Sequence, residues 1–224
     1  MDWEALRLSL RLAALTTLAL LALGLPLAYW LAFTRRRWKF LVEAVVALPL
    51  VLPPTVLGFY LLVVMGSRSP VGRWYEALTG HTLAFSFEGL LAASILYSLP
   101  FTVQPFAAAF SGVERPLLEA AWCLGESRFR TFLRVVAPLS WAGILTGMVL
   151  SFAHTLGEFG VVLMVGGNLP GRTRTVSIAL YDQVQAMEDA AAGHTALLLL
   201  GVSFLVLALT YGLRRARRQP WAPF

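Results

Sequence analysis

SGVERPLLEAAWCLGESRFRTFLRVVAPLSWAGI, Ser111–Ile144, is the stretch on which the organisation of this chain turns. It is a polar interlude between two strongly apolar runs. Pro116 suits the opening of a helix, where its missing N–H is no loss. Leu117, Leu118, Ala121 and Trp122 then fall near one face. Gly125 is placed to stop that helix, because glycine accepts the left-handed conformation common at helix ends. A second helix is predicted through Phe129, Phe132 and Leu133, with Arg128, Arg130 and Arg134 on its polar side. Pro138 marks where it yields to the next apolar run. Two uses fit the residues. Small Ala120 and Ala121 permit close approach of a partner, with Glu119 offering a charge for pairing. Equally, a helix with Arg and Trp can lie on lipid headgroups.

Outward from this island the chain is membrane-like. Of its 224 residues 58% are hydrophobic and only 13% charged, with mean hydropathy +0.72. A soluble domain carries about 25% charged residues. One all-α integral membrane domain spanning 1–224 is therefore expected, with no polar stretch left to build an aqueous catalytic domain. The single cysteine, Cys123, excludes an internal disulfide and any multi-cysteine metal site.

A membrane-spanning helix needs about 20 mostly apolar residues. Five runs qualify: 12–33, 41–65, 87–110, 139–165 and 195–213, leaving the island as a loop over 111–138. The first is expected to be retained as a span, because Asp2 and Glu4 open the chain and Arg35–Arg37 follow it, unlike a cleaved leader. Lys and Arg favour the cytoplasmic side. One set of connecting segments holds twelve: Arg35, Arg36, Arg37, Lys39, Arg115, Arg128, Arg130, Arg134, Arg214, Arg215, Arg217 and Arg218. The alternate set holds six: Arg7, Arg11, Arg68, Arg73, Arg172 and Arg174. The N-terminus is thus expected outside, with the C-terminus and the Glu119 island in the cytoplasm. Topology accounts for the net charge of +6, and no nucleic-acid partner is expected.

Glu119-Ala120-Ala121, three residues, Gly125, nine residues, then Val135-Val136-Ala137-Pro138 resembles the EAA loop of ABC importer permeases. The usual pattern ends in an Ile-x-Leu-Pro type run, so Val135 and Ala137 are conservative departures. The resemblance implies that Glu119, Ala120, Ala121, Gly125 and Pro138 form the coupling site for a cytoplasmic ATPase. AHTLGEFGVVLMVGGNLPGRTRTVSIALYDQVQAME, from Ala153 to Glu188, and LPLVLPPTVLGFYLL, from Leu48 to Leu62, are similar to molybdate permeases of that superfamily. Sulfate and tungstate permeases share the Gly-Glu-Phe/Tyr-Gly element; the 166–171 turn and the 178–187 segment favour molybdate.

The resemblance implies a type I, MetI-like architecture in the cytoplasmic membrane. It also implies a homodimer of permeases in lipid, two ATPase subunits and an extracytoplasmic binding protein. ATP and Mg belong to the partner ATPase, and no cofactor is expected on this chain. The same machine for sulfate, thiosulfate or tungstate is the alternative. Consistent with a borrowed motor, the sequence has no Gly-x4-Gly-Lys-Ser/Thr phosphate loop. Nor has it an HExxH or GxSxG motif, so neither catalytic nor metal-ligating residues are expected.

Within the spans, Glu158 is the only Asp, Glu, Lys or Arg between Leu139 and Val165. His154 lies four residues earlier, on the same helical face. Gate and helix-packing roles are expected for the pair, with a position near the outer interface as the alternative. A carboxylate would repel an oxyanion, so Glu158 is not expected to be a substrate ligand. Gly143 and Gly147 have the GxxxG spacing of tight helix packing. Ser67–Ser86 is expected to be an outer loop. Over Asn168–Gly193 an outer amphipathic helix is predicted, with Val176, Leu180, Val184 and Met187 on its apolar face.

Overall fold

The computed structural model of the protein describes residues 2–217, all of whose regular structure is helical. Arg218 of the basic tail lies outside the described residues. Helix α1 (Trp3–Phe33) is capped by Asp2, whose carboxylate accepts from Ala5 N–H at 2.9 Å, so it starts well before the expected apolar run. Helix α5 (Phe87–Ser111) is capped by Ser86 and continues through Pro100 and Pro105. Helix α12 (Asp189–Arg217) closes the described chain. The long helices α1, α5 and α12 (through Gly212) are each long and apolar enough to cross a membrane.

The expected span 41–65 is not one rod. It divides into α2 (Lys39–Val51) and α3 (Pro54–Met65), which meet at a 112° bend. The cause is Pro53-Pro54: two successive residues lack N–H donors and bias the preceding residue toward extended backbone. Val42 and Val46 of α2 pack with Phe106 and Phe110 in the C-terminal half of α5. Leu61 and Met65 of α3 pack with Ala93 in its N-terminal half and with Ala84 just before it. The bent pair therefore travels the length of α5.

The expected span 139–165 is also interrupted. Helix α9 (Trp141–Gly157) ends at Glu158, and α10 (Gly160–Gly166) follows. Among the described residues, counting spans strictly gives three. The count rises to five if α2–α3 and the bent pair Arg128–Leu139 with Trp141–Gly157 (78°) each make one.

Helices α1, α5 and α9 form the centre. Their close approach depends on missing side chains. A Cβ on Gly143 would lie 2.2 Å from Ala109 Cβ, and one on Gly147 would lie 2.6 Å from the Phe106 ring. The GxxxG pair is thus the contact surface between α9 and α5, and Ser140 adds a 3.2 Å hydrogen bond to the Ala109 carbonyl. At the opposite end, Leu12, Leu90, Val162 and Ile178 join α1, α5, α10 and α11 (Val176–Gln185).

Two segments expected on the outer side differ from expectation. Within the expected loop lies α4 (Pro70–Thr79), capped by Ser69 and stopped by Gly80 at φ 77°. Its sequence signal was Ser-Pro at the start, Gly at the end and Val71, Trp74 and Leu78 at helical spacing. In α11 the buried face is Val176, Ile178 and Ala179, while Val184 is exposed and Met187 lies beyond the helix at φ 56°.

Candidate functional site

The island folds as a rigid corner. Helix α6 (Arg115–Cys123) carries Glu119, Ala120 and Ala121. It ends in a Schellman stop: Gly125 N–H donates to the Trp122 carbonyl at 2.9 Å, and Glu126 N–H donates to Ala121 at 3.1 Å. Gly125 holds φ 82° with open space where a Cβ would stand, so the backbone conformation alone selects glycine. Ser127 then caps α7 (Arg128–Thr131), accepting from Arg130 N–H at 3.3 Å. A hydrogen-bonded ion pair between Arg134 and Glu126 ties the second helix back across the corner.

Pro138 does not end the second helix as expected. The chain passes through a π-turn over Phe132–Val136, continues through α8 (Ala137–Leu139), and bends sharply only at Ser140. A proline ring clashes with the carbonyl four residues earlier, and widening the helix to i→i+5 bonding relieves that contact. Ala137 N–H accordingly donates to the Phe132 carbonyl.

The π-turn is also the anchor. Phe132 packs edge-on against Tyr29 of α1 (5.5 Å, 85°) and Phe110 of α5 (5.7 Å, 87°). Thr131 and Val136 are fully buried beside it. Sequence reasoning placed Phe132 only as a helix residue; its aromatic type between three arginines was the available signal. The corner is thus fixed to α1 and α5.

The corner's outer surface is unpartnered and partly apolar. Leu118 and Ala121 face the bundle, whereas Leu117 and Trp122, expected on the same face, are only partly covered, at 45% and 44% exposure. Leu124 is 85% and Phe129 69% exposed. Glu119 and Ala120 are exposed on α6. Glu119 edges a cavity of about 240 Å³ shared with Arg35, Arg115 and Arg128. Exposed Trp122, Leu124 and Phe129 give this surface the aromatic and apolar character that protein interfaces favour.

His154 and Glu158 are not paired. His154 Nδ1 lies 2.9 Å from Ser98 Oγ, which also contacts Thr155 Oγ1 at 2.9 Å, and its ring stacks on Phe101 at 4.0 Å. These contacts join α9 to α5. Glu158 sits at the α9–α10 break and is only 6% exposed. Its backbone carbonyl accepts from Ser177, and neither carboxylate oxygen has a hydrogen-bond partner among the described residues. The helix break carries Glu158 out of register with His154, which i, i+4 spacing assumed.

Comparison with known proteins places this geometry. Residues 24–219 match the family described as binding-protein-dependent transport system inner membrane component. The chain is 54% identical over 215 residues to the molybdenum transport system permease protein ModB of Azotobacter vinelandii, covering 96% of this chain and 95% of that one. Among solved structures, a bacterial alginate ABC transporter in complex with an alginate-bound periplasmic protein superposes with a TM-score of 0.76. It shares 17% identity and covers 98% of this chain and 80% of that one. The MetNI methionine ABC transporter in an inward-facing conformation gives a TM-score of 0.75 at 15% identity, covering 96% and 95%. The all-helical fold is that of type I ABC importer permeases, and the chain belongs to the family of binding-protein-dependent transport system inner membrane components.

Proposed function

We propose that this chain is the membrane subunit of a molybdate importer and that the α6–α7 corner couples it to a separate cytoplasmic ATPase. The observation that carries the coupling role is the braced corner itself. It presents Glu119, Ala120, Leu124 and Phe129 outward and is fixed to α1 and α5 through Phe132. The cargo rests on the 54% identity to a molybdenum permease over nearly the whole of both chains.

In this reading two copies enclose the path and a binding protein delivers the oxyanion from outside. The N-terminus lies on that outer side, and the five spans run through α1, the bent α2–α3 pair, α5, α9 with α10, and α12. ATP and Mg bind the ATPase. Its closure draws the two α6 helices together, and rigid-body movement of the bundles alternates access. Glu158 and His154 lie at the junctions of α9 with α10 and α5, where they pack or gate the moving helices.

Uptake of radiolabelled molybdate into proteoliposomes holding the permease, ATPase and binding protein tests the cargo. Uptake should require ATP and resist excess sulfate. Uptake abolished by equimolar sulfate would refute molybdate as the cargo.

A further inference from the structure

Opposite the coupling corner, a second cavity of about 670 Å³ opens between the first turns of α1, the start of α5 and the 171–172 turn. Its walls carry Arg7, Arg11 and Arg172, with His81, Glu4 and Glu88. Arg7 and Arg11 are four residues apart, on one helical face. Among the described residues none of the three guanidiniums makes an ion pair or a side-chain hydrogen bond. Neighbouring Arg174, by contrast, is held by Asp182 at 2.9 Å and Asp2 at 3.7 Å. Arg11 is positioned over the Phe87 ring, 4.6 Å from its centroid, which fixes one wall of the cavity.

We infer that this cavity is a binding site for a tetrahedral oxyanion, with Arg7, Arg11 and Arg172 as its donors. Guanidinium groups match such an anion with paired N–H donors. Three arginines against two glutamates leave the walls net positive. The same chemistry can come from a phospholipid headgroup or from a free oxyanion. The face of α1 that carries Arg7 and Arg11 continues into exposed Ala14 and Leu18, an apolar track suited to an acyl chain. The headgroup is therefore the favoured source. The site needs no assumption about the cargo and does not involve the coupling corner.

The test uses the full-length permease in phosphate-free maltoside micelles, titrated either with phosphatidylglycerol or with inorganic phosphate and molybdate. Each Arg→Gln change at 7, 11 or 172 should weaken binding about fivefold, as expected of a basic group at a membrane surface. Glu88→Gln should tighten binding without removing any donor, which separates loss of the site from loss of the fold. Arg73→Gln, in α4 and outside the cavity lining, should leave binding unchanged. Saturable binding of phosphatidylglycerol assigns a lipid site, and saturable binding of free phosphate or molybdate assigns a soluble-anion site. Equal loss with Arg73→Gln, no tightening with Glu88→Gln, or no saturable binding of any probe would overturn the inference.

Discussion

Replacing Leu124 or Phe129 with serine tests whether the corner docks a protein or rests on lipid. Both side chains stand clear of the bundle, at 85% and 69% exposure. Truncating either should therefore change the permease's own stability by no more than about 0.5 kcal/mol, as for other surface positions. Docking would cover most of that exposed area. Full burial of a Leu or Phe side chain contributes about 1.5–3 kcal/mol. Allowing for incomplete coverage, each substitution should cost about 1–2 kcal/mol of association, or roughly 5- to 30-fold in Kd for the ATPase. The double variant should lose on the order of a hundredfold, provided the two sites act independently. The assay is titration of purified ATPase onto nanodisc-held permease, with thermal unfolding of each variant alongside. An unchanged Kd with intact folding would refute docking through this face. It would favour the alternative in which the apolar groups lie in the headgroup layer.

Three further outcomes follow from the same geometry. Gly125→Val has open space at its Cβ but forces a β-branched residue to φ 82°, at a cost of about 1–2 kcal/mol. ATPase affinity should fall while the long helices keep their thermal stability, and full affinity would show that the Schellman stop is dispensable. Gly143→Val meets Ala109 Cβ at 2.2 Å and the Pro105 carbonyl at 3.1 Å, and should destabilise the bundle by about 1–3 kcal/mol. An unchanged melting temperature would contradict the α5–α9 contact. Glu158→Gln should preserve or raise stability, because no hydrogen bond or ion pair to the carboxylate is broken. A loss above about 1 kcal/mol would reveal a partner for that group.

Sequence reasoning reached the membrane class and the corner because both are written in short-range terms. Apolar runs of sufficient length and glycine at the α6 stop are local signals, and the Gly125 geometry is what that stop requires. Breaks inside apolar runs were harder to read. Pro26, Pro100 and Pro105 lie within unbroken helices, whereas Pro53-Pro54 accompanies a 112° bend. A single proline is carried within a long helix, whereas two in succession remove adjacent N–H donors and break it, and hydropathy does not contain that difference. The interruption at Glu158 has no proline; Gly157 and Gly160 were its only local trace. Anchoring of the corner through Phe132 depends on Tyr29 and Phe110, more than 20 residues away in either case. No periodicity within the island records that contact. The exposed positions Leu117 and Trp122 likewise required the bundle's placement, since helical spacing alone put them with Leu118 and Ala121.

Charge reversal at Glu119 addresses the central claim most directly. Glu119 is exposed and makes no ion pair among the described residues, and thermal unfolding of the Glu119→Arg permease checks that a fourth arginine beside Arg35, Arg115 and Arg128 leaves the fold intact. The measurement is ATP-driven molybdate uptake by the reconstituted complex carrying Glu119→Arg, with ATPase co-purification recorded on the same sample. Coupling through α6 predicts lost co-purification and uptake at the level of vesicles lacking ATPase. Normal ATPase binding together with normal uptake would contradict it.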